Sequence, residues 1–234
     1  MSVAAASVLA PLTFWAAVAI ASAMRPGYDQ TASTISRLSV GANAPVMNAG
    51  FLAYGILTVV IAALLRGRVE TALDRVPLVL LAMSGACTAS LGIQWLTWSV
   101  AGMAPVSSRP ALTTDPLYDV VHNVLAAGAF GFSGLGSFVL GISVRGRPGW
   151  SGYDRAFIAF ALVVIVLSTF LSARIPEGQG LAQRVAVVAL QAWVAVLAFR
   201  LYLLDTGGSS SAPAYWRTGP SSAARVSELP RRHS

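Results

Sequence analysis

The sequence predicts an all-α, polytopic membrane protein: a bundle of six transmembrane helices with both termini on the cytoplasmic side. Three observations predict it. Hydrophobic residues make up 56% of the 234-residue chain and charged residues only 11%, where a soluble domain carries about 25% charge. Six apolar segments each reach roughly 20 residues, the length that crosses a bilayer core. The arginines between those segments are unevenly distributed, as the positive-inside rule requires of a multi-pass chain.

The six segments run Ala4–Met24, Pro45–Leu65, Pro77–Trp98, Pro116–Val144, Arg155–Ala173 and Leu181–Leu204. Backbone polar groups cannot be left unpaired against lipid, so apolar runs of this length are expected to be helices. In the first, Ala21-Ser22-Ala23 matches a small-residue cleavage pattern. No basic residue precedes it, however, and the apolar run exceeds a signal-peptide core, so the segment is expected to be retained as a span. Pro45 opens the second helix, with Asn48 one turn in and Gly50 beyond it. That pairs an interhelical hydrogen-bonding group with a site of close packing. The third carries Gln94 and ends on Trp95 and Trp98, which read as interfacial anchors. The fourth opens on Asp115-Pro116, a capping carboxylate followed by proline at the first helical position. Farther along it, Gly128, Gly131, Gly134 and Gly136 read as surfaces for close helix packing. Arg174 follows the fifth segment and Gln183, Arg184 and Gln191 belong to the sixth. Residues 1–205 thus form one transmembrane domain. Residues 206–234, rich in Gly, Ser and Pro, are expected to be a disordered cytoplasmic tail.

Charge sets the orientation. All 16 basic residues are arginine, and eleven of them fall in the tail, at the end of segment six (Arg200), or in and at the edges of the loops after segments two and four, Arg155 included. Those regions are therefore placed in the cytoplasm of a bacterial plasma membrane, and the loops Arg25–Ala44 and Ser99–Asp115 outside. The same distribution argues against a nucleic-acid partner despite the net charge of +7, because the arginines mark helix ends rather than a basic face. One cysteine, Cys87, excludes an internal disulfide, and two histidines, one in the tail, argue against a bis-histidine haem or a histidine-rich metal centre. No cofactor is expected.

Candidate functional residues gather at the external ends. Asp119, His122 and Asn123 lie at helical spacings near the start of the fourth helix. His122 is only about 9 Å below that start at 1.5 Å per residue. Ionisable groups there are functional candidates by default. Asp119, one turn from His122, has the spacing of a carboxylate that orients an imidazole; its other reading is a charge in the helix dipole's positive field. Arg174 is a candidate partner for Asp119 or a snorkelling arginine. The loop Tyr28-Asp29-Gln30-Thr31-Ala32-Ser33-Thr34-Ile35-Ser36-Arg37-Leu38 has two readings: a short helix capped by Asp29 and lying on the bundle, or a polar lid using Tyr28, Asp29, Ser33, Ser36 and Arg37.

Tyr28-Asp29, Ile35-Ser36-Arg37-Leu38, Met47-Asn48-Ala49-Gly50-Phe51 and His122-Asn123, in that order, resemble a bacterial integral membrane family catalogued as domain of unknown function nine-nine-eight. The resemblance covers nearly the whole chain apart from the tail. It implies a compact six-helix membrane protein without an assigned activity. Gln30 stands where the family pattern often carries proline.

Two functional classes remain open, with a structural one beside them. The first is an external polar pocket among helices two to five, lined by Asn48, Gln94, Asp119, His122, Asn123 and Arg174 under the loop bearing Tyr28, Asp29 and Arg37. Apolar below and polar above, it suits membrane lipids or another amphiphilic small molecule. The second is an intramembrane enzyme in which His122, oriented by Asp119, is general acid or base on a lipid ester or isoprenoid. The third is a structural subunit of a membrane complex. A proton-coupled carrier would want deeper ionisable groups and a broken helix, neither of which the sequence offers.

Overall fold

The computed structural model describes residues 2–41, 44–67, 72–100, 116–171 and 176–206. It is all-helical among those residues: α1 (Val3–Ala23), α2 (Ala44–Arg66), α3 (Ala72–Val100), α4 (Pro116–Ser143), α5 (Tyr153–Val166) and α6 (Gln179–Thr206). A short 3-10 helix, Ile35–Ser39, sits between α1 and α2, a π-helical turn, Leu167–Leu171, continues α5, and a 3-10 turn, Pro176–Gly178, leads into α6. The expected tail, Arg109, Asp115 and Arg174 lie outside the described residues.

Among the described residues, five helical stretches are long and apolar enough to cross a membrane: Val3–Ala23, Ala44–Arg66, Asp74–Gln94, Pro116–Ser143 and Gln179–Leu204. The sequence expectation of six spans is met only in this coarser form. The α-helical part of α5 has 14 residues, about 21 Å at 1.5 Å per residue, short of a bilayer core of about 30 Å. The outer surface is apolar. Leu12, Val124 and Phe199 stay 60%, 66% and 57% exposed, which a soluble fold would not sustain across a continuous surface.

Each helix packs on the next in sequence, and α6 closes the ring against α5 and α1. Lipid is as apolar as leucine, so the contacts rest on close packing and on buried hydrogen bonds. Gly55 of α2 meets Gly85 and Ala89 of α3 backbone to backbone: a Cβ on Gly55 would lie 2.5 Å from the Gly85 carbonyl oxygen and 2.3 Å from the Ala89 nitrogen. The rings of Phe14, Phe51 and Tyr54 cluster in the middle, with Phe14 5.7 Å from Phe51 and 5.4 Å from Tyr54. Trp193 of α6 is fully buried and donates from Nε1 to Ser133 Oγ of α4 at 2.8 Å. Trp15 of α1 donates likewise to Gln191 Oε1 at 2.8 Å.

Helix starts follow local chemistry with one correction. Ser2 caps α1, its Oγ accepting from the Ala5 N–H at 3.1 Å, and α4 begins at Pro116 as read. α3 begins at Ala72, more than a turn before the expected Pro77. Asp74 and Arg75 interrupt the apolar run in its first turn, yet the turn is used: buried Asp74 pairs with Arg147 of the α4–α5 loop at 2.8 and 3.2 Å. At that same end Arg200 of α6 lies over the rings of Trp150 and Tyr153, 6.0 and 5.2 Å from their centroids. The opposite end carries the candidate site.

Candidate functional site

The loop between α1 and α2 is fastened onto the first turns of α6. Gly180 allows this approach, since a Cβ there would sit 2.4, 2.6 and 2.7 Å from the carbonyl oxygens of Ser33, Gln30 and Thr31. Those carbonyls face the N-terminus of α6, where free N–H groups and the dipole's positive end lie. Leu181 N–H donates to Thr31 at 3.0 Å. Arg184 donates to the carbonyls of Gln30 and Ser33 at 2.6 and 3.1 Å and to the Tyr28 hydroxyl at 2.9 Å. Gln183 accepts from Ile35 N–H at 2.6 Å, which fixes the 3-10 helix. Ile35 and Leu38 are buried beneath it, as their spacing implied.

Tyr28 and Asp29 therefore brace the loop. Tyr28 donates its hydroxyl to the Thr34 carbonyl at 2.9 Å. The Asp29 carboxylate accepts from the Thr31 hydroxyl at 2.6 Å and from its N–H at 2.8 Å. The Thr31 hydroxyl bond first, then the backbone bonds, hold that carboxyl below its usual range. Asp29 caps this turn and not the 3-10 helix, whose N-cap residue is Thr34, with no side-chain cap. The expectation of an Asp29-capped helix is corrected accordingly.

Under the loop lies a two-part cleft. Its polar part, about 260 Å³, is lined by Thr34, Ser36, Arg37, Ser39, Asp119 and His122, among others. Its apolar part, about 400 Å³, runs between α4 and α5 along Ala126, Ala127, Phe130, Gly131 and Ile165. Thr34, Ser36, His122 and Asn123 belong to both parts, so the two meet at His122. The walls are α4, α5, α6 and the 3-10 helix, not helices two to five.

His122 is the centre of this arrangement. It is 8% exposed, and among the described residues neither Nδ1 nor Nε2 has a hydrogen-bond partner. Buried polar groups are almost always paired, and an unmade bond costs about 1–3 kcal/mol. The Tyr118 ring stacks on the imidazole at 6.0 Å and 17°. Asp119 lines the polar part of the cleft but is exposed and makes no hydrogen bond to His122. The orienting carboxylate–imidazole bond that the spacing suggested is absent, because the carboxylate points outward while the ring turns in.

Other expected residues divide cleanly. Arg37 and Asn123 line the cleft and are exposed. Asn48 is buried at the start of α2 and donates to the Ser39 carbonyl at 3.3 Å. Gln94 ties α3 to α4 by donating to the Tyr118 carbonyl at 2.8 Å. Both hold up the walls without lining the cleft. Arg174 falls outside the described residues.

Ser168 and Thr169 were not singled out by sequence, and both line the apolar part. They stand on the π-helical turn, a distortion frequent at functional sites. Ser168 donates to the Val164 carbonyl at 2.5 Å, and Thr169 to that of Ile165. The available signal was two adjacent hydroxyls in an apolar run. Gly131 also departs from expectation: Gly128 meets Cys87 and Gly134 meets Ile165, whereas a Cβ on Gly131 would meet nothing within 4 Å. It opens the cleft sideways. Among the described residues no group of three or more His, Cys, Asp or Glu side chains is placed to hold a metal ion.

No curated protein and no solved structure matches the chain. A family model described as a protein of unknown function, DUF998, matches residues 8–200. With that match covering most of the chain and the helices it packs together, this protein belongs to the DUF998 family.

Proposed function

We propose that this protein is a six-span bacterial plasma-membrane protein that binds a lipid or another amphiphilic small molecule at His122. The reading rests on one observation: an imidazole 8% exposed, unpartnered at both nitrogens among the described residues, where a polar and an apolar compartment meet. A neutral imidazole offers one N–H and one lone pair, so a ligand that fills the cleft relieves an existing penalty. Arg37 and Asp119 at the mouth meet the polar portion, and the channel along Phe130 and Gly131 takes the tail. The six-span count is supported by the path of α5 and its π turn. Together they lead from Trp150 near the Arg200 end of α6 to Thr169, which lines the cleft with Gln183. Six crossings together with the arginine excess favour both termini in the cytoplasm.

In the enzymatic alternative His122 is an acid or base on a lipid ester or isoprenoid. The same unpartnered ring favours it, and the missing Asp119 bond disfavours it. Binding is the better reading. The test is the lipid that co-purifies with protein extracted in detergent. A species enriched in the wild type and reduced at least about tenfold in a folded His122→Ala variant supports the pocket. Identical bulk lipid in both sinks it. Conversion of the enriched lipid by wild type alone would select the enzyme.

A further inference from the structure

The chemistry of the cleft walls narrows the ligand class. The Ser168 and Thr169 hydroxyls spend their protons on the carbonyls of Val164 and Ile165 in their own helix, as hydroxyls in apolar helices commonly do. What they turn toward the cleft is therefore lone-pair density. A head group resting against them must donate. Across the cleft, His122 has both nitrogens free to bond, one as donor and one as acceptor when neutral. A head group satisfying both walls donates on one side and accepts on the other.

The route in is lateral. Ala127 and Gly131 of α4 face Ile165 of α5 and Thr169 of the π turn across the apolar part of the cleft, and all four are exposed on the outer surface of the bundle. Gly131 leaves the gap open, since nothing stands within 4 Å of where its Cβ would be. That surface is where the apolar helices meet hydrocarbon, so what enters here comes from the bilayer.

We propose that the cleft takes, sideways from the membrane, a lipid whose head is a free hydroxyl. This rests on the binding reading above. A hydroxyl is the smallest group that both donates and accepts. A phosphate would set negative charge against the Ser168 and Thr169 lone pairs. An ester or ketone carbonyl accepts only and would leave both of them unmet. Arg37, the one cation lining the polar part among the described residues, shares that part with Asp119.

Three probes with the same acyl chains separate these heads: dioctanoylglycerol (a hydroxyl), dioctanoyl phosphatidic acid (an anion) and trioctanoylglycerol (carbonyls alone). Their retention by the detergent-solubilised full chain is measured by native mass spectrometry. Dioctanoylglycerol is expected to bind about tenfold more tightly than either of the others. The Thr169→Val and Ser168→Ala double variant should erase most of that margin while its unfolding temperature holds. Thr169→Val alone, at an exposed position, should reduce it by about threefold. Phosphatidic acid or the triester binding as well as the diacylglycerol, still dependent on His122, would overturn the hydroxyl assignment and leave the pocket standing. Loss of all three, with no difference from His122→Phe, would overturn both.

Discussion

His122 is a costly residue to bury, and its cost can be measured. Both nitrogens lie in the interior without partners among the described residues, so an apolar ring should fit more comfortably. His122→Phe is expected to raise stability by about 1 kcal/mol while abolishing ligand retention, the usual sign of a site kept for function at the expense of the fold. Thermal unfolding in detergent beside lipid analysis checks this. A fall in stability would instead mark His122 as a structural hydrogen-bonding group. Its candidacy was legible in the sequence, because a histidine inside an apolar helix stands out against its neighbours. So were Asn123, Asp119 and Arg37. What spacing could not convey was side-chain direction: three residues along a helix share a face, yet Tyr118 takes the place beside the ring that Asp119 was expected to hold. Ser168 and Thr169 were invisible for another reason. Hydroxyls that bond back to their own helix are ordinary in apolar segments, and only the π turn and its neighbours give these two a role.

Among the elements, the loop over α6 and the gap between α4 and α5 make opposite demands on glycine. Gly180→Ala would press a methyl group into three carbonyl oxygens, so the loop must lift or α6 must shift, at about 1–3 kcal/mol. Gly131→Ala meets nothing and should stabilise α4 by about 0.5–1 kcal/mol through helix propensity. A bulkier Gly131→Leu should leave stability within about 1 kcal/mol but close the lateral gap and lower lipid retention. Denaturation midpoints and lipid content of the three variants test the pair of claims together. Equal destabilisation at both positions would contradict them. The sequence marked Gly131 as one of four packing glycines on α4, and it could not say which of them faces a neighbour. A glycine's pattern is the same whether it admits another helix or leaves an opening.

For the molecule as a whole, α5 decides the topology. Its α-helical part is too short to be counted as a span by itself. If α5 and the π turn cross together, both termini share a side; if they do not, the termini part. Reporter fusions at residues 66 and 206, scored for cytoplasmic or external activity, should both read cytoplasmic. An external reading at 206 with a cytoplasmic one at 66 would reduce the crossings to five. Away from the site the two ends of the bundle are secured differently. One end holds the Asp74–Arg147 pair and the Arg200 stack on Trp150 and Tyr153; the other holds a loop fastened by Arg184 and Gln183. The cleft sits at the end opposite the Asp74–Arg147 pair.

Composition and segment length by themselves determined that this chain is an apolar helical bundle, because unpaired backbone in lipid leaves few other solutions. The order of its short motifs pointed to the family, and polar residues in apolar helices named half of the cleft. Only the tertiary structure decided which helices wall that cleft, that Asn48, Gln94, Tyr28 and Asp29 brace it, and that Ser168, Thr169 and Gln183 line it. The reason is geometric. Periodicity along one helix fixes a residue's face to within a turn, but a site is built from the faces that several helices and a loop turn toward one another. That arrangement depends on contacts such as Gly55 on Gly85 and Gly180 under Ser33, which have no signature along the chain.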